Sequence, residues 1–103
     1  NKRMSNVVEF TMNVKPGHYA EVVELYSEFA CEFQLIDPSL HTVHILGDEG
    51  SGVVRGIGIF DTRVAANEVN SNALFAAFND AVAPLISGEP TRVVLDLLHG
   101  WTR

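Results

Sequence analysis

Few residues in this chain could do chemistry. His41 and His44 stand three apart in the run LHTVHIL. A neutral imidazole near physiological pH can serve as a general base. In a regular strand a spacing of three sends the two rings to opposite faces, so they could share one metal only across a bulge. No metal site is expected. His44 shares a face with Thr42 and Leu46, and His41 with Val43 and Ile45. One of the two is expected to line a cavity or a seam between subunits, and His44 is the candidate base. The plainer role for either is that of a hydrogen-bonded histidine on an edge strand.

Other residues supply candidate walls and hydrogen bonds. Gly56 and Gly58 alternate along one strand face with Val54 and Phe60, and the missing side chains leave room for a flat ligand against Phe60. A neighbouring bulky side chain filling that room is the alternative. The GxG is no dinucleotide fingerprint, because it lies inside a strand and lacks the third glycine. Tyr19 and Tyr26 point inward from the first helix. The Tyr26 hydroxyl needs a partner if buried and could bind a phenolic or carbonyl group, although such a tyrosine is more often plain core. Phe78 is a further wall candidate. Trp101, after His99 and Gly100, could fold over a cavity mouth or remain an exposed tail. Glu9 with Arg55, and Arg92 with Asp96, are expected as sheet or interface ion pairs. Cys31, beside Phe29, Ala30 and Phe33 with no base next to it in sequence, has nothing to activate it. There is no GxSxG, HExxH, CxxC or P-loop.

These residues must be positioned by a simple series of elements. Val8, Phe10, Met12 and Val14 alternate with Glu9, Thr11 and Asn13, the period of a half-buried strand. From His18 to about Phe33 the period lengthens: Tyr19, Val22, Val23, Tyr26, Phe29, Ala30 and Phe33 form one helical face. Glu21, Glu24, Glu28 and Glu32 form the other. Pro16 suits the first turn, and Asp37-Pro38 stops the helix. Residues 40–46 and 53–60 read as a hairpin about the glycine-rich turn 47–52. Asp61 or Thr62 caps a second helix. Asn70-Ser71-Asn72 predicts a break in it with a fresh start at Ser71, followed by a buried stripe of Leu74, Phe78, Ala81, Val82 and Leu85. Pro84 and Gly88 close it, and residues 91–98 form the last strand.

The order βαββαβ predicts an α+β, ferredoxin-like single domain over residues 1–103, an antiparallel sheet of four strands with both helices on one face. The other face, with Val7, Glu9, Thr11, Thr42 and Asp96, is too apolar for water and too mixed to be a core alone. A second copy covering it makes a symmetric homodimer. The chain has 103 residues, 47% of them hydrophobic, and so allows one small core for which oligomerisation is a common supplement. A net charge of -6 argues against nucleic acid and anionic membrane surfaces as partners. A single cysteine, no signal-peptide pattern and no apolar run of spanning length point to a cytoplasmic setting.

Two stretches resemble the antibiotic-biosynthesis-monooxygenase-like family of dimeric α+β barrels. Val14-Lys15-Pro16-Gly17 stands at the first helix start. Phe60-Asp61-Thr62-Arg63 with Ala65, then Asn72-Ala73-Leu74-Phe75, then residues 83–90 (APLISGEP) follow the family's second helix. The resemblance implies a ligand cavity between the sheet and the helices of each subunit. It implies a cofactor-independent monooxygenase, or an isomerase, acting on a small aromatic or carbonyl-bearing metabolite. Phe60 stands where a tryptophan is common, residues 62–86 hold no histidine, and Phe10 stands nearest the asparagine of haem-degrading members. Haem is therefore not expected, nor any other cofactor. The alternative is a non-catalytic dimer of the same fold that binds a small ligand or another protein.

Overall fold

The computed structural model describes residues 5–103. Strand β1 (Asn6–Asn13) leads to helix α1 (Tyr19–Ile36), then to the hairpin β2 (Leu40–Asp48) and β3 (Val53–Phe60). Helices α2 (Arg63–Glu68) and α3 (Ala73–Val82) follow, and β4 (Thr91–Asp96) ends the series. The four strands form one antiparallel sheet in the order β2-β3-β1-β4. This is the ferredoxin-like α+β arrangement expected from the order of elements.

Local sequence accounts for the boundaries. Helix α1 runs three residues beyond Phe33 and stops at Asp37, whose backbone N–H donates to the Phe33 carbonyl; Pro38 forbids a further turn. The helix begins at Tyr19, so Pro16 lies in the preceding turn rather than in its first turn. Thr62 is the cap of α2, its Oγ1 accepting from the Ala65 N–H at 3.1 Å. The expected break is present one residue later than predicted. Val69–Ser71 narrows to a 3-10 turn, and Asn72 restarts the helix by accepting from the Leu74 N–H at 2.8 Å. Strand β4 ends at Asp96, short of the predicted Leu98.

The helices cover one face only. Val8, Phe10, Met12, Val54 and Phe60 of that face are buried with Val22, Tyr26, Phe33, Phe75, Phe78 and Val82 of α1 and α3 in one apolar cluster. In α3 the buried stripe is Phe75, Phe78 and Val82, with Leu74 half-buried and Ala81 exposed. The stripe keeps Phe78 and Val82 of the expected one and takes Phe75 in place of Leu74.

Strand pairing orders the opposite face into rows. Thr42, Ile59, Val7 and Leu95 stand side by side across the sheet; His44, Ile57, Glu9 and Val93 form the next row; Leu46, Arg55, Thr11 and Thr91 the third. Leu46 and Leu95 are 48% and 46% exposed there, large for sheet leucines. Two expectations need correction. Arg55 is opposite Thr11, not Glu9, and its Nε donates to Thr11 Oγ1 at 3.1 Å. Asp96 lies opposite Asn6, which puts it on the helix-covered face. There it accepts from Asn6 Nδ2 at 2.7 Å and Arg63 Nη2 at 3.0 Å rather than pairing with Arg92. Strand register fixes the first outcome, and the one-residue alternation places Asp96 on the covered face, within reach of Asn6 and Arg63.

Candidate functional site

Between the sheet and the helices lies a cavity of about 50 Å³. Its walls are Val8, Phe10, Gly56, Gly58 and Phe60 from the sheet, Tyr26, Phe29 and Phe33 from α1, and Val69 and Phe75 from the α2–α3 region. Leu40, Val43 and Arg92 complete its sides. A volume of that size holds a water or two; ligand pockets are usually several hundred Å³.

Aromatic packing explains the small volume. Tyr26 stacks on Phe78 with ring centroids 4.8 Å apart, and Phe10 meets Phe75 edge-on at 5.3 Å. Phe29 stacks on Phe78 at 5.2 Å and on Phe33 at 5.5 Å. The Tyr26 hydroxyl occupies the room that Gly56 leaves, so that a Cβ at position 56 would overlap it. Tyr19, two helical turns earlier, lies over Gly47 in the same way. The bulky-side-chain alternative thus holds at Gly56. At Gly58 a Cβ would stand 3.2 Å from Phe60 Cε1 and 3.4 Å from Leu40 Cδ1, so little room is left there either.

Two polar groups face this apolar space. Burial pushes the Tyr26 phenol upward in pKa, so it stays protonated and can donate a hydrogen bond but not act as a base. Arg92 reaches in from β4, where it stands opposite Phe10. Its Nη2 donates to the Ala66 carbonyl at 2.5 Å, which anchors the guanidinium beneath α2. Its Nε is buried with no hydrogen-bond partner among the described residues. Desolvation lowers the Arg92 pKa, yet a guanidinium remains charged at any physiological pH. A buried donor left unpaired costs about 1–3 kcal/mol, so the site carries a standing preference for an acceptor.

The predicted site residues divide accordingly. Tyr26, Gly56, Gly58 and Phe60 meet at the cavity; Phe78 lies one layer behind, against Tyr26. His44 does not join them. It is exposed on the helix-free face opposite Ile57, because its strand position has the parity of Thr42 and Leu46. Trp101 is 71% exposed under the Arg103 guanidinium and away from the cavity walls. Arg92 was missed as a site residue. Its alternation with Val94 on the covered face was the available signal, since an arginine at a core position needs a reason.

His41 occupies a β-bulge. Leu40 pairs with Phe60 and Thr42 with Ile59, so His41 is the extra residue between them. Its Nε2 is joined to the Asp61 carboxylate. Among the described residues no group of three or more His, Cys, Asp and Glu could hold a metal ion, and no helix is long and apolar enough to cross a membrane.

No protein-family model matches the sequence, and no curated protein matches it. Solved structures do match the fold. A candidate antibiotic biosynthesis monooxygenase from Caulobacter crescentus superposes with a TM-score of 0.83 at 19% identity, over 94% of this chain and 92% of that one. A candidate antibiotic biosynthesis monooxygenase from Nitrosomonas europaea gives 0.82 at 17% identity, over 96% and 95% of the two chains. A variant of SnoaB, a cofactor-independent oxygenase from Streptomyces nogalater, gives 0.78 at 13% identity, over 96% and 98%. The resemblance noted in the sequence is therefore sustained at the level of the fold.

Proposed function

We propose that this chain binds a small planar aromatic metabolite bearing a carbonyl or phenolic oxygen, and oxygenates it without a cofactor. The observation that carries this reading is the unpaired Nε of Arg92 in the wall of an apolar cavity. A neutral hydrocarbon would leave that donor unsatisfied; a ligand with one oxyanion would pair it. Tyr26 offers a second donor. The fold shared with a cofactor-independent oxygenase supports the same reading.

In such a reaction an activated C–H conjugated with the ring carbonyl gives up its proton, and the electron pair moves onto the carbonyl oxygen. Arg92 stabilises that oxygen where charge develops. The enolate passes one electron to dioxygen, the two radicals combine into a hydroperoxide, and loss of water leaves a new C=O. A CH₂ and O₂ become a C=O and H₂O, so no outside reductant enters. The aromatic walls exclude water and orient the substrate. Because the cavity is small, the ligand must displace wall side chains, Tyr26 and Phe75 among them.

The rows of apolar residues on the open sheet face support a homodimer in which a second copy covers them. His44, with Ile57 and Glu9, would then lie in the seam between copies rather than against the ligand. A purely binding role is the second reading. It is favoured by the walls themselves, whose titratable members among the described residues are Tyr26 and Arg92, neither able to accept a proton at neutral pH.

Oxygen uptake with anthrone or a naphthoquinol tests the first reading, and equilibrium dialysis of the same compounds tests binding. Arg92→Gln is expected to weaken binding of the oxyanion form about 10- to 100-fold, the value of a charge-assisted hydrogen bond. Retention without uptake leaves the binding role; no retention of any oxyanionic aromatic overturns both.

A further inference from the structure

Arg92 faces two ways. Its Nη2 donates to the Ala66 carbonyl at 2.5 Å, while its Nε is buried with no partner among the described residues. We infer that this guanidinium is a latch. A ligand oxyanion held on Nε fastens the end of α2, and the Val69 and Phe75 walls that follow it, over the ligand. The inference rests on the cavity being the ligand site.

Three observations converge. First, α2 has six residues, well short of the roughly 12–15 at which a helix begins to hold itself in water. Its buried side chains are Ala65 and Ala66, and the turn after it adds Val69. So little apolar surface leaves much of the holding to polar tethers. Second, the two ends of α2 are tethered differently. At the start, Thr62 accepts from the Ala65 N–H and Arg63 pairs with Asp96, and none of these side chains lines the cavity. At the end, the last four carbonyls of an α-helix lack intrahelical partners, and α2 has no basic residue of its own in its last turn. Arg92 reaches across from β4 to supply a donor there, and Arg92 is a cavity wall. Third, the chain just beyond that tether is cavity wall as well. Val69 stands three residues after Ala66, and Phe75 follows the Asn72 cap of α3.

The coupling follows from the shape of the group. A guanidinium is planar, and its donors keep a fixed fork. With Nη2 on the Ala66 carbonyl, Nε is already set for one acceptor. With an oxyanion on Nε, Nη2 is in turn held where Ala66 needs it. The ligand therefore binds the fastened arrangement more tightly than a loosened one, and by linkage favours it by the same factor. A neutral ring of similar shape leaves Nε unpaired and lacks that preference.

The test follows backbone amide hydrogen exchange over residues 66–75 by mass spectrometry. Residues 19–25 of α1, none of them a cavity wall, serve as the internal standard. The probes are para-nitrophenolate and its neutral counterpart para-nitroanisole, with retention of each measured by equilibrium dialysis. At saturation para-nitrophenolate should slow exchange over 66–75 about 10-fold or more relative to the standard, and para-nitroanisole should not. Arg92→Gln should speed exchange there in the unliganded chain about 10-fold or more. It should also abolish the response to para-nitrophenolate at a concentration that saturates the variant. Arg92→Lys keeps the charge without the fork, so it should retain para-nitrophenolate with a smaller response; it decides the matter should Arg92→Gln fail to fold. Para-nitrophenolate retained with exchange unchanged overturns the latch and leaves the ligand site standing. So does equal slowing by para-nitroanisole, a full response in either variant, or unliganded Arg92→Gln exchanging no faster than the intact chain. Para-nitrophenolate not retained by the intact chain overturns the ligand site and the latch together.

Discussion

On one face of the sheet Val8, Phe10, Val54 and Phe60 disappear beneath two helices; on the other their immediate neighbours Val7, Glu9, Arg55 and Ile59 stay partly open. The covered face is finished within the chain. Glycines there make room for tyrosine rings, and one arginine is built in. The open face is laid out in rows with apolar residues along its length, and its polar side chains, His44, Glu9 and Arg55, stand in the same rows. One side is complementary to its own helices; the other is left uncovered by this chain. The comparison teaches that burial and chemistry are segregated by strand parity alone. A residue's place in the alternation decides whether it lies beneath the helices or on the open face.

The largest expected effect breaks the covered face. Phe78→Ala removes the ring that Tyr26 and Phe29 stack upon and should cost about 3–5 kcal/mol, read as a lower urea midpoint. Ile57→Glu, in the middle of the open face, should instead leave the folded monomer within about 1 kcal/mol. In a dimer it should halve the sedimenting mass; an unchanged dimer would mean that copies associate elsewhere. Gly56→Ala drives a methyl into the Tyr26 ring and should cost about 1–3 kcal/mol. Tyr26→Phe in the same chain should restore part of that, measured as a double-mutant cycle. Asn72→Ala, which removes the α3 cap, should cost about 1 kcal/mol.

The smallest effect is a pH dependence. Burial raises the Tyr26 pKa in the folded chain above its ordinary value of 10.0. Below pH 10.0 both folded and unfolded forms hold the proton and the contribution is intact. Above it the unfolded chain loses its proton first, so stability declines as pH rises. Alkaline titration at 295 nm should show Tyr26 ionising only with unfolding.

Much of this fold was legible because its signals are periodic. Alternation identified β1, three- and four-residue steps identified α1, and the Asn-Ser-Asn triplet identified the helix break. The site was less legible. Phe60, Gly56 and Tyr26 were readable as one cavity because their strand and helix phases are regular. His44 shares a face with Thr42, which the sequence already assigns to the helix-free side, and so it lies away from the cavity walls. The bulge at His41 has no signature in LHTVHIL, since it is a property of pairing rather than of either strand. Arg92 looked like a partner for Asp96 because residues four apart on a strand share a face. Asn6 and Arg63, distant in sequence, take Asp96 first.

The joint at Asn70–Asn72 sits directly above the cavity, with Val69 before it and Phe75 after it as roof tiles. Two short helical pieces can tilt apart at far less cost than one continuous rod can bend. For a ligand of the proposed kind, larger than the resting space, tilting at that joint would gate entry, and the binding rate would level off as ligand concentration rises.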